Sequence, residues 1–178
     1  YNTIMKKILI IALFLVIPVF AFSAEFHAGE QYSLLESERL EGDAYTVAGK
    51  IVTSGRITED LTAVGGDIVV AGAVGSDSNI AGGQIHVAGT TGDDLRALGG
   101  TILVAGAVGG DIVAVGGQTH IISGARVGGD VFIASGDIAI EGEVFGTMKL
   151  VGGRVFLNSA VHGDVKIVAE DVILGESV

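Results

Sequence analysis

The sequence predicts an all-β fold: a single-stranded parallel β-helix (solenoid) with about 17 residues and three short strands per coil. Three observations carry this. First, Asp43, Asp60, Asp77, Asp94 and Asp111 recur every 17 residues, Asp130 follows after 19, and Thr147 and Asp164 resume the spacing of 17. Second, each repeat holds a polar column (Lys50, Asp67, Gln84, Thr101, Gln118, Asp137, Arg154, Asp171) followed at once by Ile51, Ile68, Ile85, Ile102, Thr119, Ile138, Val155 and Val172. Third, glycine, 29 of 178 residues, falls into fixed places. One place is a pair (Gly65-Gly66, Gly82-Gly83, Gly99-Gly100, Gly116-Gly117, Gly152-Gly153) and the other a single column (Gly55, Gly72, Gly89, Gly106, Gly124, Gly142).

The unit is too short for a helical solenoid, whose repeats run to about 33 residues or more. Apolar residues alternate within each run, as Ile68 with Val70 and Ile102 with Val104, which is the period of a strand. Stacking equivalent positions places Ile on Ile and Val on Val about 4.8 Å apart, with glycine permitting the bends between runs.

Composition narrows the function classes. The chain has no cysteine, so disulfide scaffolds and Cys-ligated metal centres are excluded. Ten basic against 21 acidic residues, net -11, argue against nucleic acid as a partner. With 49% hydrophobic and only 17% charged residues, disorder is a poor fit.

Taken in order, residues 1–24 read as a signal peptide, with 1–4 upstream of the start at Met5. Lys6-Lys7 precede an apolar run from Ile8 to Phe22, and Ala21 and Ser23 set cleavage after Ser23, or alternatively after Ala24. An uncut anchor is the competing reading, but the run is shorter than the ~20 residues that span a bilayer and Pro18 interrupts it. Residues 25–42 read as a polar connector with a loose helical turn or two. Residues 43–178 make about eight coils. Two extra residues in the coil after Asp111, near Ser123 and at Arg126, are expected to bulge at a corner. The last coil stops mid-unit at Val178: either the chain continues in a longer protein, or another molecule covers that end.

The reiterated GGDI-V-AGAVGGD pattern, as in Gly65 to Val74 and Gly109 to Val115, resembles the bactofilin family of polymer-forming cytoskeletal proteins over residues 43–178. That resemblance implies a right-handed β-helix and end-to-end assembly into filaments without nucleotide or cofactor. It also implies scaffolding at the cell envelope. Members of the family are usually cytoplasmic or on the inner membrane face, so the leader at Met5–Ser23 implies an exported or membrane-associated variant. The partners implied are further copies of the chain, then membrane or cell-wall components.

Candidate sites follow from the repeat. Val165, Ile167, Val172 and Leu174 form an apolar end face for polymer contact. An outward column (Val47, Val64, Ala81, Leu98, Val115, Ala134, Val151, Val168) offers a lateral stripe, with Val64, Leu98, Val115 and Val151 as its core; a corner position, partly buried, is the alternative. Val52, Val69, Leu103, Phe156 and Ile173 form a second apolar column. The Asp ladder either collects divalent cations or accepts backbone N–H bonds at a turn; lacking a Gly-x-Gly-x-Asp unit, it favours the second. His86 and His120 share a column two coils apart, about 10 Å, too far for one metal, and His27 and His162 have no evident partner. Long catalytic loops are absent from the repeat, and no catalytic, cofactor or metal residue is assigned. The reading is therefore a non-enzymatic scaffold, with an exported adhesion, glycan-binding or spacer module as the alternative.

Overall fold

The structure is a computed structural model describing residues 24–176; the signal peptide expected at residues 1–24 lies, apart from Ala24, outside them. The described chain is all-β and winds as a parallel β-solenoid of about nine coils, each near 17 residues. Nine ten-residue strands form one sheet, from Glu25–Leu34 through Ala44–Thr53, Leu61–Val70, Ser78–Val87, Leu95–Val104, Ile112–Ile121, Val131–Ile140 and Met148–Leu157 to Val165–Leu174. They define coils 1 to 9. A second sheet of seven two-residue strands, from Arg39–Leu40 to Glu143–Val144, closes the remaining side. The first two strand segments of each repeat thus run on as one bent strand.

The bend follows from side-chain parity. In coil 3, Leu61 and Ala63 point inward and Val64 outward; after Gly65-Gly66-Asp67, Ile68 and Val70 point inward again. Inward positions five residues apart cannot belong to one straight strand of period two, so the alternation breaks once, at the glycine pair.

Identical columns stack in register. Ile68, Ile85 and Ile102 are direct partners and are buried, as are Val70, Val87 and Val104. Each such side chain stabilises by roughly 1.5–3 kcal/mol through burial. A third core column, Leu40, Ile57, Val74, Thr91, Val108, Val127 and Val144, lines the short sheet and is equally buried; sequence reading passed over it because each strand is only two residues long.

Most glycines serve close approach rather than unusual backbone angles. Among the described residues only Gly42 and Gly124 have positive φ. At Gly89, by contrast, a Cβ would overlap the carbonyl oxygen of Gly72 in the coil below. From Gly55 to Gly106 the single-glycine column lets successive corners touch backbone to backbone; in the next coil Ala125, not the expected Gly124, takes the place, and Gly124 stands in the turn before it.

Two expectations change. Residues 25–42 are not a connector: Glu25–Leu34 pairs in parallel with Ala44–Thr53, from Glu25↔Ala44 to Leu34↔Thr53. The repeat signal fails there because Glu25, His27 and Tyr32 occupy the inward positions that Leu, Ala and Ile fill elsewhere. The insertion also lies wholly before Arg126, which pairs with Ala107 in ordinary register. The extra residues fall in the turn after Ile121, where Gly124 takes φ 93°.

Candidate functional site: the two ends and the outer columns

The four end-face residues all occupy inward positions of coil 9. Val165 stacks on Met148, Ile167 on Leu150, Val172 on Val155 and Leu174 on Leu157. The residues beneath are buried, yet Val172 is 47% and Leu174 59% exposed, and only Ile167 keeps partial cover against the core. The inward positions have nothing above them among the described residues, and the strand presents a free backbone edge.

Coil 1 presents a different surface. Its inward positions are Glu25, His27, Tyr32 and Leu34. His27 Nε2 lies 2.7 Å from Glu25 Oε1, and the His27 and Tyr32 rings meet at 4.5 Å between centroids. Burial, with the nearby carboxylates of Glu25 and Glu38, pushes the Tyr32 phenol above its ordinary pKa. Below this layer, the buried hydroxyls of Thr46 and Thr53 find no hydrogen-bond partner.

The lateral column points outward. Val47, Val64, Leu98, Val115, Val151 and Val168 are all exposed, Leu98 most at 59%. Coil 1 extends the column with Ala28, in register with Val47. The neighbouring outward column is Phe26, Tyr45, Thr62, Asn79, Arg96, Val113, Phe132, Lys149 and Lys166.

The Asp ladder is structural. From Asp43 to Asp130, Oδ1 of each aspartate in the column accepts the backbone N–H at the same corner of the next coil. Asp60 accepts from Asp77, and Asp77 from Asp94, at 3.0 Å. Asp111 accepts from Asp130, and Asp130 from Thr147, at 2.7 Å. Arg96 bridges Asp77 and Asp94 at 2.7 and 2.6 Å. That guanidinium, then the Asp94 N–H, holds the Asp77 carboxyl below its usual range.

His86 and His120 flank Leu103 as expected. His120 pairs with Glu141 at 2.9 Å. His27 and His162 do have partners: Glu25 and Tyr32 on the same strand for His27, and for His162 a ring one period of 17 before it and a carboxylate of the same preceding coil. His162 stacks on Phe145 at 4.8 Å and reaches Glu143. A shallow groove of about 520 Å³ lies over coils 5 to 8, lined by Gln118, His120, Asp137, Arg154 and Phe156; Ala139 forms its low point between His120 and Phe156. The described residues hold no cluster of three or more His, Cys, Asp or Glu side chains placed to share a metal ion.

No family model, curated protein or solved structure matches the chain.

Proposed function

We propose that the chain is a non-catalytic structural scaffold that self-assembles at the cell envelope into polymers requiring no nucleotide, a bactofilin-like role. The observation that carries this reading is the apolar face of coil 9, whose inward side chains stand in the columns of a buried core layer and, among the described residues, have no layer above them. A second copy can supply that layer, because its own end has the same outline and spacing. The charged and aromatic surface of coil 1 is a poor match for an apolar layer, so the favoured contact joins coil 9 of one copy to coil 9 of another. Such an isologous contact buries the same residues from both copies and pairs two free strand edges; by itself it closes at two rods, so longer polymers need a second contact between these joined pairs. The non-catalytic assignment rests on the uniform coils, whose largest insertion is two residues.

The test is assembly of the purified chain beside an Ile167→Asp, Leu174→Asp double variant, by sedimentation velocity. The wild type should form larger species without nucleotide. The variant should lose the coil 9 contact while keeping the same β-rich circular dichroism. Unchanged assembly in the variant would remove this face from the account.

A specific observation favours one second reading, an exported adhesion or glycan-binding spacer. The groove over coils 5 to 8 combines an aromatic ring, Phe156, with the planar polar groups of Gln118, Asp137 and Arg154. Retention on cell-wall polysaccharide without self-association would support it.

A further inference from the structure

The outward column along the long sheet has its own period. From coil 1 to coil 9 it reads Ala28, Val47, Val64, Ala81, Leu98, Val115, Ala134, Val151 and Val168. Alanine recurs at every third coil, leaving notches between pairs of larger side chains. The valines and the leucine of this column stand about half out of the surface. Around Val64, Ala81, Leu98, Val113 and Val115 the surface forms a groove of about 450 Å³ whose walls, though Asn79 and Arg96 border it, are almost wholly apolar. A stripe on the order of 38 Å long, from eight steps of about 4.8 Å, exceeds the scattered apolar exposure normal for a monomer.

We propose that two rods pair side by side and antiparallel through this stripe, the partner being a second copy of this chain. The argument is self-complementarity. Place a two-fold axis in the interface along the strand direction, midway between coils 4 and 5. Leu98, the most projecting side chain, then falls opposite the partner's Ala81, Val47 opposite the partner's Ala134, and Val151 opposite the partner's Ala28. Only Val64 and Val115 meet as two mid-sized residues. Eight of the nine coils are engaged, and every notch receives a large side chain.

The adjacent column agrees with the same register. Arg96 falls opposite the partner's Asn79, Tyr45 opposite the partner's Phe132, and Lys149 opposite the partner's Phe26, where an ammonium can sit against an aromatic face. No two basic side chains oppose each other. Two alternatives fit less well. A parallel pair sets each residue against its own copy, so that Leu98 meets Leu98 and alanines face alanines. Shifting the antiparallel axis onto coil 5 also drives Leu98 into Leu98.

The footprint is about eight coils by four residues, on the order of 1,000 Å² for both copies together, the lower limit for a specific interface. Pairing of single rods is therefore reversible, and rods already joined end to end would hold more firmly through multiple contacts. The two Asp ladders lie along the same rim of the pair, so added salt, by screening them, should tighten the contact.

This contact is separate from the coil 9 face, and the test keeps the two apart. It uses the full chain carrying Ile167→Asp and Leu174→Asp, followed by sedimentation. This background should show a concentration-dependent dimer that strengthens with salt, and adding Leu98→Asp should weaken it more than about tenfold without altering the circular dichroism. A background that stays monomeric at high concentration and salt would overturn lateral pairing while leaving end-face assembly intact. Register is read with a short bismaleimide, since the natural chain has no cysteine. A mixture of Val47→Cys and Ala134→Cys chains should cross-link, whereas Val47→Cys alone should not, because its two thiols lie about 24 Å apart, five coil steps. Equal cross-linking in both samples would overturn the antiparallel register.

Discussion

The first and last coils of the described residues occupy equivalent places in one sheet, yet they present different faces. Coil 1 sets Glu25, His27 and Tyr32 over the core, with the carboxylate and both rings in contact. Coil 9 leaves Val165, Val172 and Leu174 exposed at positions that are buried in the coil beneath. In a solenoid each coil contacts only its neighbours, so what lies above a layer decides the value of its side chains. The same valine is core in one coil and interface material in another. A polar layer terminates stacking; an apolar one invites another layer.

The sharpest way to break this comparison is to truncate one column at two heights. Ile102 is buried mid-rod, and Val172 stands in the same column in coil 9, exposed among the described residues. Ile102→Ala should cost about 2–5 kcal/mol, whereas Val172→Ala should change the stability of an isolated rod by less than about 1 kcal/mol. Chemical denaturation below the assembly concentration checks both. A large loss from Val172→Ala there would mean that coil 9 is covered within the single chain.

The stacking itself is probed by Gly89→Ala, whose new Cβ would meet the Gly72 carbonyl. A cost of about 1–3 kcal/mol is expected from this overpacking, measured by thermal unfolding. Gly124→Ala should cost only about 1 kcal/mol, because that glycine has open space around it and is needed for φ alone.

Beneath the polar layer, Thr53→Val should add about 1 kcal/mol by removing a buried hydroxyl that lacks a partner and extending the Val70–Val87–Val104 column. A loss of stability would show that Thr53 is instead satisfied in solution.

The smallest effect is alkaline and confined to coil 1. Tyr32 has a raised folded pKa, so the unfolded chain releases the phenol proton first as pH climbs past about 10. Stability from this group is fully present below that pH and declines above it. Comparing wild type with Tyr32→Phe from pH 9 to 11 isolates it; equal slopes would contradict the assignment.

The period of the solenoid was legible because stacking forces like onto like: Ile68, Ile85 and Ile102 must agree for the layers to fit. The acidic ladder and the outward stripe followed from the same register. What escaped were places where the column changes character. Coil 1 was hidden by its polar inward residues, and the column of Leu40, Ile57 and Val74 by the shortness of its strands. Departures inside the core were equally unreadable. Ser78 and Thr91 interrupt two different apolar columns, and only the folded chain shows their hydroxyls 3.0 Å apart, each satisfying the other. Phe145, the ring on which His162 stacks, lies one period of 17 before it and was within reach of the repeat, whereas Glu143, which His162 also reaches, lies off that column. Off-column pairings such as Ser78 with Thr91 and His162 with Glu143 depend on how corners are turned, which spacing along one column does not encode.

The central claim, that an uncovered core layer is the assembly surface, is tested most directly by negative-stain electron microscopy. The purified chain and its Ile167→Asp, Leu174→Asp variant would be imaged without nucleotide at low and moderate salt. The account predicts filaments or joined rods for the wild type, and for the variant only short rods, single or paired side by side. Dispersed wild-type rods, or end-to-end joined rods in the variant, would contradict it.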